Sequence, residues 1–349
     1  MNKINQLPLW LKHHILKYYI CQLKPSDLIP LYAHSETTKI LKQLSAQEWS
    51  QIYQNDHHMM LSVGKYHNLV IRDGKIISWG NDYYGRRHEI PVLPKGTHYV
   101  AVSCEEHNLA LRSDGQIVAW GMNNYGQCTD IPELPKGTSY LAISAGKSHS
   151  LALRSDGKII AWGGKNYAGQ YTKTPILPDG TNYVAVSAGL YHNLAIRSDG
   201  QIVVWGWNRY NQINTPIQPK DIYYVAVSAG GYHSLALTSD GQIVACGENR
   251  YNQCTNIPIL PKGTHYVSVS AGAFSNLAIR SDGQIVAWGN NDYGKCTDIP
   301  ILPKDTYYLD IYAGGFHNLA LRSDGEIIAW GDNYHGQCTN PKFVIKVSL

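Results

Sequence analysis

Six histidines recur at nearly even spacing through this chain, His67, His107, His149, His192, His233 and His317, and Ser275 stands where a seventh would fall. A ring of imidazoles could hold a metal or relay protons. Four cysteines recur in the same way, Cys128, Cys254, Cys296 and Cys338, and Glu105-Glu106 offers a pair of carboxylates. Those are zinc-ligand and acid–base residue types. Repetition argues against all three chemistries. Copies of one site in different structural units should lie too far apart for a disulfide, which needs Cα atoms ~4.4–6.8 Å apart. No Cys-x-x-Cys occurs. The cysteines therefore read as free thiols of a reducing compartment, with neither metal nor cofactor. Each histidine reads as bonded to backbone within its own repeat. Adjacent residues such as Glu105 and Glu106 usually point apart, which makes them rim residues. Gly-x-Ser-x-Gly, Gly-x-Gly-x-x-Gly, phosphate-loop and His-Glu-x-x-His motifs are absent from the sequence, so the chain is expected not to be an enzyme.

The elements that must position these residues follow from the repeat. Aligned on Trp79, Trp120, Trp162, Trp205, Cys246, Trp288 and Trp330, successive copies are 41, 42, 43, 41, 42 and 42 residues apart, and a glycine follows each of these residues. Within a copy, segments such as 99–103, 107–112 and 116–120 alternate or run apolar over four to six residues, rich in β-branched and aromatic types, which predicts short strands. Asp-Gly joins the second and third strands in all seven copies, from Asp73-Gly74 to Asp324-Gly325, the dipeptide suited to a type I′ turn. A fourth strand is expected near Gln127-Cys128-Thr129 and its equivalents. One small sheet cannot hide its faces alone, so the expected fold is an all-β seven-bladed β-propeller over 59–349, preceded by a small α-helical module over 1–58. Cys246 leaves one wedge less well filled than the tryptophans do, and alternation in 343–349 predicts a closing edge strand.

The string Ala-Gly-x-x-His-x-Leu-Ala-Leu-x-x-Asp-Gly-x-Ile/Val-x-Ala-Trp-Gly-x-Asn-x-Tyr-Gly-Gln resembles the repeat of the regulator of chromosome condensation family, whose members form seven-bladed propellers. The likeness spans residues 59 to 340. The founding proteins of that family have repeats of ~50–60 residues. The shorter copies here are more similar to compact bacterial relatives, one of which is a protein inhibitor of β-lactamases.

Composition fits a chain with a substantial core: 349 residues, 44% hydrophobic. The net charge of +4 comes from Lys and Arg spread evenly through the copies, with no basic block to suggest nucleic acid and no apolar run of the ~18 residues a membrane span needs. Lys12, His13 and His14 break the first apolar stretch, unlike a secretory leader, so a cytoplasmic place, or one inside a eukaryotic host cell, is expected.

Recognition is expected where the copies disagree. The Asp-Gly turn and the Ile-Pro-x-Leu-Pro-Lys-Gly-Thr connection (131–138, 257–264) are monotonous. The first connection varies, with Tyr66, Glu106, Ser148, Tyr191, Tyr232, Phe274 and Phe316 before the histidine position, and so does the third, which carries Trp207, Arg209, Arg250 and Tyr334. In an up-and-down blade these two connections share a face. Aromatic residues and arginine anchor protein interfaces, so Tyr66, Glu106, Tyr191, Trp207, Arg209, Tyr232, Arg250, Phe274, Phe316 and Tyr334 are the expected partner-binding set. The alternative is that the rings only cover the central channel.

Residues 1–58 have no Asp-Gly turn and show only helical spacing, with Ser26 or Asp27 as a cap. Leu7-Pro8, Ile15-Leu16, 23–28, Leu31 and Glu48-Trp49 resemble an F-box, although 18–22 lengthens the first interval and 35–39 replaces the usual Lys-Arg-Trp cluster. The resemblance implies that Leu7, Pro8, Ile15, Leu16, Leu28 and Leu31 contact a Skp-type ubiquitin-ligase adaptor while the propeller holds a target protein. A helical lid on the propeller's edge is the other reading. Two further functional readings stand beside the adaptor one: an activator of a Ran-like small GTPase, and a scaffold or inhibitor with no ubiquitin role. Copies of 41 to 43 residues leave no room for a long inserted wedge.

Overall fold

A computed structural model describes residues 61–164, 169, 174–214 and 222–339. Blade 1 is the antiparallel sheet β1 (Leu61–Val63), β2 (His67–Arg72) and β3 (Lys75–Gly80). Six more three-stranded sheets of the same order follow over residues 99–121, 140–163, 183–206, 224–247, 266–289 and 308–331. The first strands lie side by side around an axis, and the first strand of blade 7 lies against that of blade 1. The middle strands are buried on both faces, as Leu109, Ala110 and Leu111 show, because a blade has a neighbour on each side.

The expected fourth strand does not form: Gln127-Cys128-Thr129 is a turn. The chain then runs through Pro132 and Pro135, which have no amide hydrogen to give a ladder. This proline strap is held instead by the tyrosine that opens the next blade, Tyr140 Oη donating to the Pro132 carbonyl at 2.7 Å and Tyr183 Oη to Pro175 at 2.8 Å. Its apolar residues, Ile131 and Leu134, pack between consecutive blades.

The Asp-Gly turns also differ from expectation. Only blade 1 has positive φ at both central residues, 51° at Asp73 and 70° at Gly74. The other copies insert Ser before Asp-Gly, giving a three-residue loop: the Gly115 amide bonds to the Arg112 carbonyl (2.9 Å), and the Arg112 amide reaches past to Gln116 (2.8 Å). That is a turn followed by a left-handed glycine in a bulge. A Cβ on Gly115 would stand 2.5 Å from Ser139 Cβ at the start of the next blade, a second reason for glycine there.

The histidines are bonded between blades and not within them. Nε2 of His67, His149, His233 and His317 meets Oδ1 of Asn108, Asn193, Asn276 and Asn68 at 2.6–2.7 Å, and His107 and His192 meet Ser150 and Ser234 at 2.8 and 3.0 Å. Each partner sits in the following blade. Asn108 Nδ2 and Trp120 Nε1 donate together to one carbonyl, that of Arg86 in the linker just before, at 2.9 and 3.0 Å. The same pair of bonds recurs on Gln253 and Lys295, and Ser150 with Trp162 takes Gln127. Since the amide Nδ2 is committed to a carbonyl, Oδ1 is the acceptor and the histidine is the Nε2–H tautomer.

Each indole lies on the preceding blade, 4–6% exposed, Trp120 against Leu69 and Ile71, Trp162 against Leu109, Leu111 and Ile117. An aromatic wedge of this kind removes ~150–250 Å² from water. The wheel closes by the same device: Trp79 packs on Leu319, Leu321 and Ile327, and Asn68 and Trp79 both bond to the Gln337 carbonyl at 2.8 and 3.0 Å. Cys246 keeps only a weak version, its Sγ 3.5 Å from the Gln212 carbonyl, and is partly exposed where the tryptophans are buried. Residues 1–58 and 343–349, with the helical module and edge strand expected there, lie outside the described residues.

One seam is incomplete. Ser275 cannot reach Asn318, so Ser275 Oγ and Asn318 Oδ1 are both buried without a partner. An unsatisfied buried polar group costs ~1–3 kcal/mol. Ser275→His should therefore stabilise the protein by about 1 kcal/mol, raising the melting temperature by roughly 2 °C in calorimetry; a lower melting temperature would show that the seam has no room for the ring.

Burial holds the seam histidines neutral, lowering His67 and His149 to about 4 and His107, His192 and His317 to about 3. Unfolded histidine binds protons near pH 6.5 while the folded ring does not, so stability is full above that pH and is lost as pH falls toward 3. Glu105, a single carboxyl raised to about 7 by burial, acts in the opposite sense. Urea midpoints should fall between pH 7 and pH 5.5 by the equivalent of about 1 kcal/mol for each of these five histidines; a flat profile would mean these rings take up protons in the fold as readily as in the unfolded chain.

Candidate functional site

The first and third connections meet on one face because β2 begins opposite the end of β3, His67 pairing with Gly80. Their backbones are bonded: the amides of Asn81, Trp207, Glu248, Asn290 and Asp332 donate to the carbonyls of Tyr66, Tyr191, Tyr232, Phe274 and Phe316 at 2.9–3.0 Å. Each first connection is a tight turn closed by the carbonyl at the histidine position, as from the Gly189 amide to His192 at 2.8 Å, and by Ser275 in blade 6. These glycines crowd the axis. A Cβ on Gly189 would stand 2.5 Å from the Gly230 carbonyl of the next blade. Blade 2 has Glu105 at this place, in a connection one residue shorter: His67 to His107 is 40 residues, His107 to His149 is 42.

The turns aim their variable residues at the axis mouth. Tyr191, Tyr232 and Phe274 follow one another at centroid distances of 6.0 and 5.9 Å, and Trp207 lies 5.8 Å from Tyr191 and 5.5 Å from Tyr232. Phe316 and Tyr66 form a separate stack at 5.1 Å and 18°. All six rings are half-buried. The remaining expected residues do not join them. Glu106 is paired with the buried Arg86 guanidinium and lies 3.4 Å from Lys65 Nζ. Arg209 is exposed, Arg250 lies 3.5 Å from Glu248, and Tyr334, 86% exposed, leans on its neighbour His335.

The third connection is shaped by an asparagine three residues after the tryptophan position. Oδ1 of Asn123, Asn249, Asn291 and Asn333 accepts the amide five residues on, that of Cys128, Cys254, Cys296 and Cys338, at 2.8–2.9 Å. The resulting loop raises one aromatic residue over the next blade: Tyr210 beside Tyr232 (5.8 Å), Tyr251 beside Phe274 (5.6 Å), Tyr293 beside Phe316 (6.1 Å) and His335 beside Tyr66 (5.6 Å). Sequence reasoning missed this second tier. Its signal was the recurring Tyr of Asn-x-Tyr-Gly, replaced by His335 in the last copy and set aside because it hardly varies.

Two lysines were also missed. Lys147 Nζ donates to Tyr191 Oη at 2.9 Å and lies 5.2 Å from that ring's centre, and Lys65 Nζ lies 5.0 Å from the centre of Tyr66. The mouth thus has an aromatic half on blades 4 to 7 and 1, and a charged half on blades 1 to 3.

Nucleophilic or metal chemistry finds little here. Among the described residues no three His, Cys, Asp or Glu are placed to hold a metal. Burial raises the thiols of Cys104, Cys128, Cys254 and Cys338 to about 12, which leaves them unreactive, and each of the last three bonds a carbonyl six residues earlier. Glu105 and Glu106 stand at the mouth itself, and Glu106 is taken by its cations.

Comparison with solved structures agrees with this geometry. Prp20p from Saccharomyces cerevisiae is similar with a TM-score of 0.61 at 19% identity over 73% of this chain and 80% of that one. Human WBSCR16 gives 0.62 at 18% over 76% and 87%, and the CRINKLY WD40 ectodomain of the Arabidopsis thaliana receptor kinase ACR4 gives 0.58 at 19% over 80% and 97%. At such identities the likeness concerns the fold. No curated protein sequence matches the chain. The RCC1-like domain family, by contrast, matches residues 86–344, nearly three quarters of the sequence, and the chain belongs to that family.

Proposed function

We propose that this propeller is a non-enzymatic interaction protein that captures a protein partner on the face carrying its first and third connections. The observation that carries the reading is the contiguous cluster of Tyr191, Trp207, Tyr232 and Phe274, half-exposed and pinned by backbone bonds between loops. Rings held in place bury large area on binding at small entropic cost, which is why such residues dominate interface energetics. The central channel alone would not call for the outer tier of Tyr251 and Tyr293, 38% and 59% exposed.

A small GTPase is the partner class that relatives favour. The Prp20p structure is described with its binding to Gsp1p and histones, and another reports Kap60 bound to yeast RCC1. The short loops of this chain leave exchange activity to the mouth face itself. Docking of a Skp-type adaptor by Leu7, Pro8, Ile15, Leu16, Leu28 and Leu31 rests on the F-box resemblance alone, since those residues lie outside the described ones; deleting 1–58 removes that function and spares capture by the propeller.

Photo-crosslinking from position 232 identifies the partner, and titration then tests the surface. Tyr232→Ala with Phe274→Ala should weaken binding at least about 30-fold, the effect of losing ~2 kcal/mol at an interface centre. Ile259→Ala, on the proline strap and 97% exposed, should leave it unchanged. The reverse pattern would place recognition elsewhere. Release of labelled GDP from a Ran-like GTPase, faster with the wild-type protein and lost in the double variant, would select the exchange reading; no acceleration would remove it.

A further inference from the structure

The charged half of the mouth says what chemistry the partner must bring. The Glu106 charge is matched by Arg86, whose Nε also donates to the Glu106 carbonyl at 2.8 Å, while Lys65 Nζ lies farther off at 3.4 Å. That ion pair is internally balanced. What remains at the mouth is Lys65 and Lys147 against Glu105, whose Oε2 is out of reach of solvent and has no partner. Burial and the neighbouring Glu106 charge raise the Glu105 carboxyl to about 7, so near neutrality it offsets only part of the two ammonium charges. The surplus is positive.

Two rings of the aromatic half are closed to a partner's cation. The ring faces nearest the charged half are already covered from within the chain, Tyr66 by Lys65 and Tyr191 by Lys147. A lysine or arginine from a partner would have to displace these side chains or sit beside them, and like charges across an interface select against it. A carboxylate would find two ammonium groups and the Tyr191 hydroxyl, and an apolar neighbour of that carboxylate would lie over Tyr232 and Phe274.

We infer that the mouth accepts an acidic–aromatic segment of its protein partner, a carboxylate seated between Lys65 and Lys147 with an apolar or aromatic side chain stacked on Tyr232 and Phe274. This rests on the docking face proposed above and gives its partner a chemical class.

The test uses the full chain and three short fluorescein-labelled peptides read by anisotropy: one alternating aspartate and phenylalanine, one with lysine for aspartate, one with alanine for phenylalanine. The aspartate–phenylalanine peptide should bind best, more weakly at high salt. Neutralising the pair with Lys65→Met and Lys147→Met should cost about tenfold, and reversal with Lys65→Glu and Lys147→Glu should move the preference to the lysine peptide. Thermal melts of both variants confirm folding, and the methionine pair stands alone if the glutamate pair does not fold. Equal or better binding of the lysine peptide to wild type, no binding of the acidic one, or an affinity untouched by neutralisation overturns the assignment. The docking face itself fails separately, if Tyr232→Ala with Phe274→Ala leaves a crosslinked partner bound.

Discussion

The structure depends on a buried polar link repeated around the wheel: a histidine gives its Nε2 proton to an asparagine or serine of the next blade, and that residue together with a tryptophan grips one linker carbonyl. Apolar contact between blades fixes no register. The hydrogen bonds do. Inside a dry seam an unpaired side-chain amide or imidazole N–H is costly, which favours the register that pairs them. A further bond at the axis supports it, the serine of six inner strands accepting an amide from the next, as Ser103 does from Ala145 at 2.9 Å.

Function inherits that constraint. The histidine ends the first connection, so fixing its imidazole in the seam also fixes the residue before it at the mouth. Tyr191 and Tyr232 are held in this way, and Phe274, which precedes Ser275, is held by the Asn290 amide on its carbonyl at 2.9 Å. Departures from the repeat collect where the mouth is charged. Arg86 replaces a buried glutamine found in four other copies, and Glu106 supplies its counter-charge from a shortened turn. At Lys295 the same replacement has a single carbonyl partner, Gly315 at 3.1 Å, next to the seam that Ser275 leaves unbonded.

Much of the fold could be read from the residues because each repeat punctuates itself: Asp-Gly for the turn, a tryptophan and glycine for the strand end, a constant period for the wheel. The errors have physical causes. A fourth strand was expected at Gln127-Cys128-Thr129, where the Asn123 side chain takes the Cys128 amide and turns the chain instead, a signal present in the sequence and left unused. A two-residue turn was expected because Asp-Gly was read without the serine before it. The histidines were assigned within a blade because spacing along the chain cannot tell an intramodular bond from one to the next copy. At the site, looking for variation found Tyr191, Trp207 and Tyr232. It passed over Tyr251 and Tyr293, which are constant yet exposed, and over Lys65 and Lys147, whose role appears only when turns from different blades converge.

The seam link is tested most directly by long-range nitrogen-15 NMR of the imidazoles in the full chain. The account predicts six histidines in the neutral Nε2–H tautomer at pH 7, with His67, His107, His149, His192 and His317 staying so down to pH 5, and coupling partners in the following blade. Rings that titrate near pH 6.5, or that carry the proton on Nδ1, would contradict it.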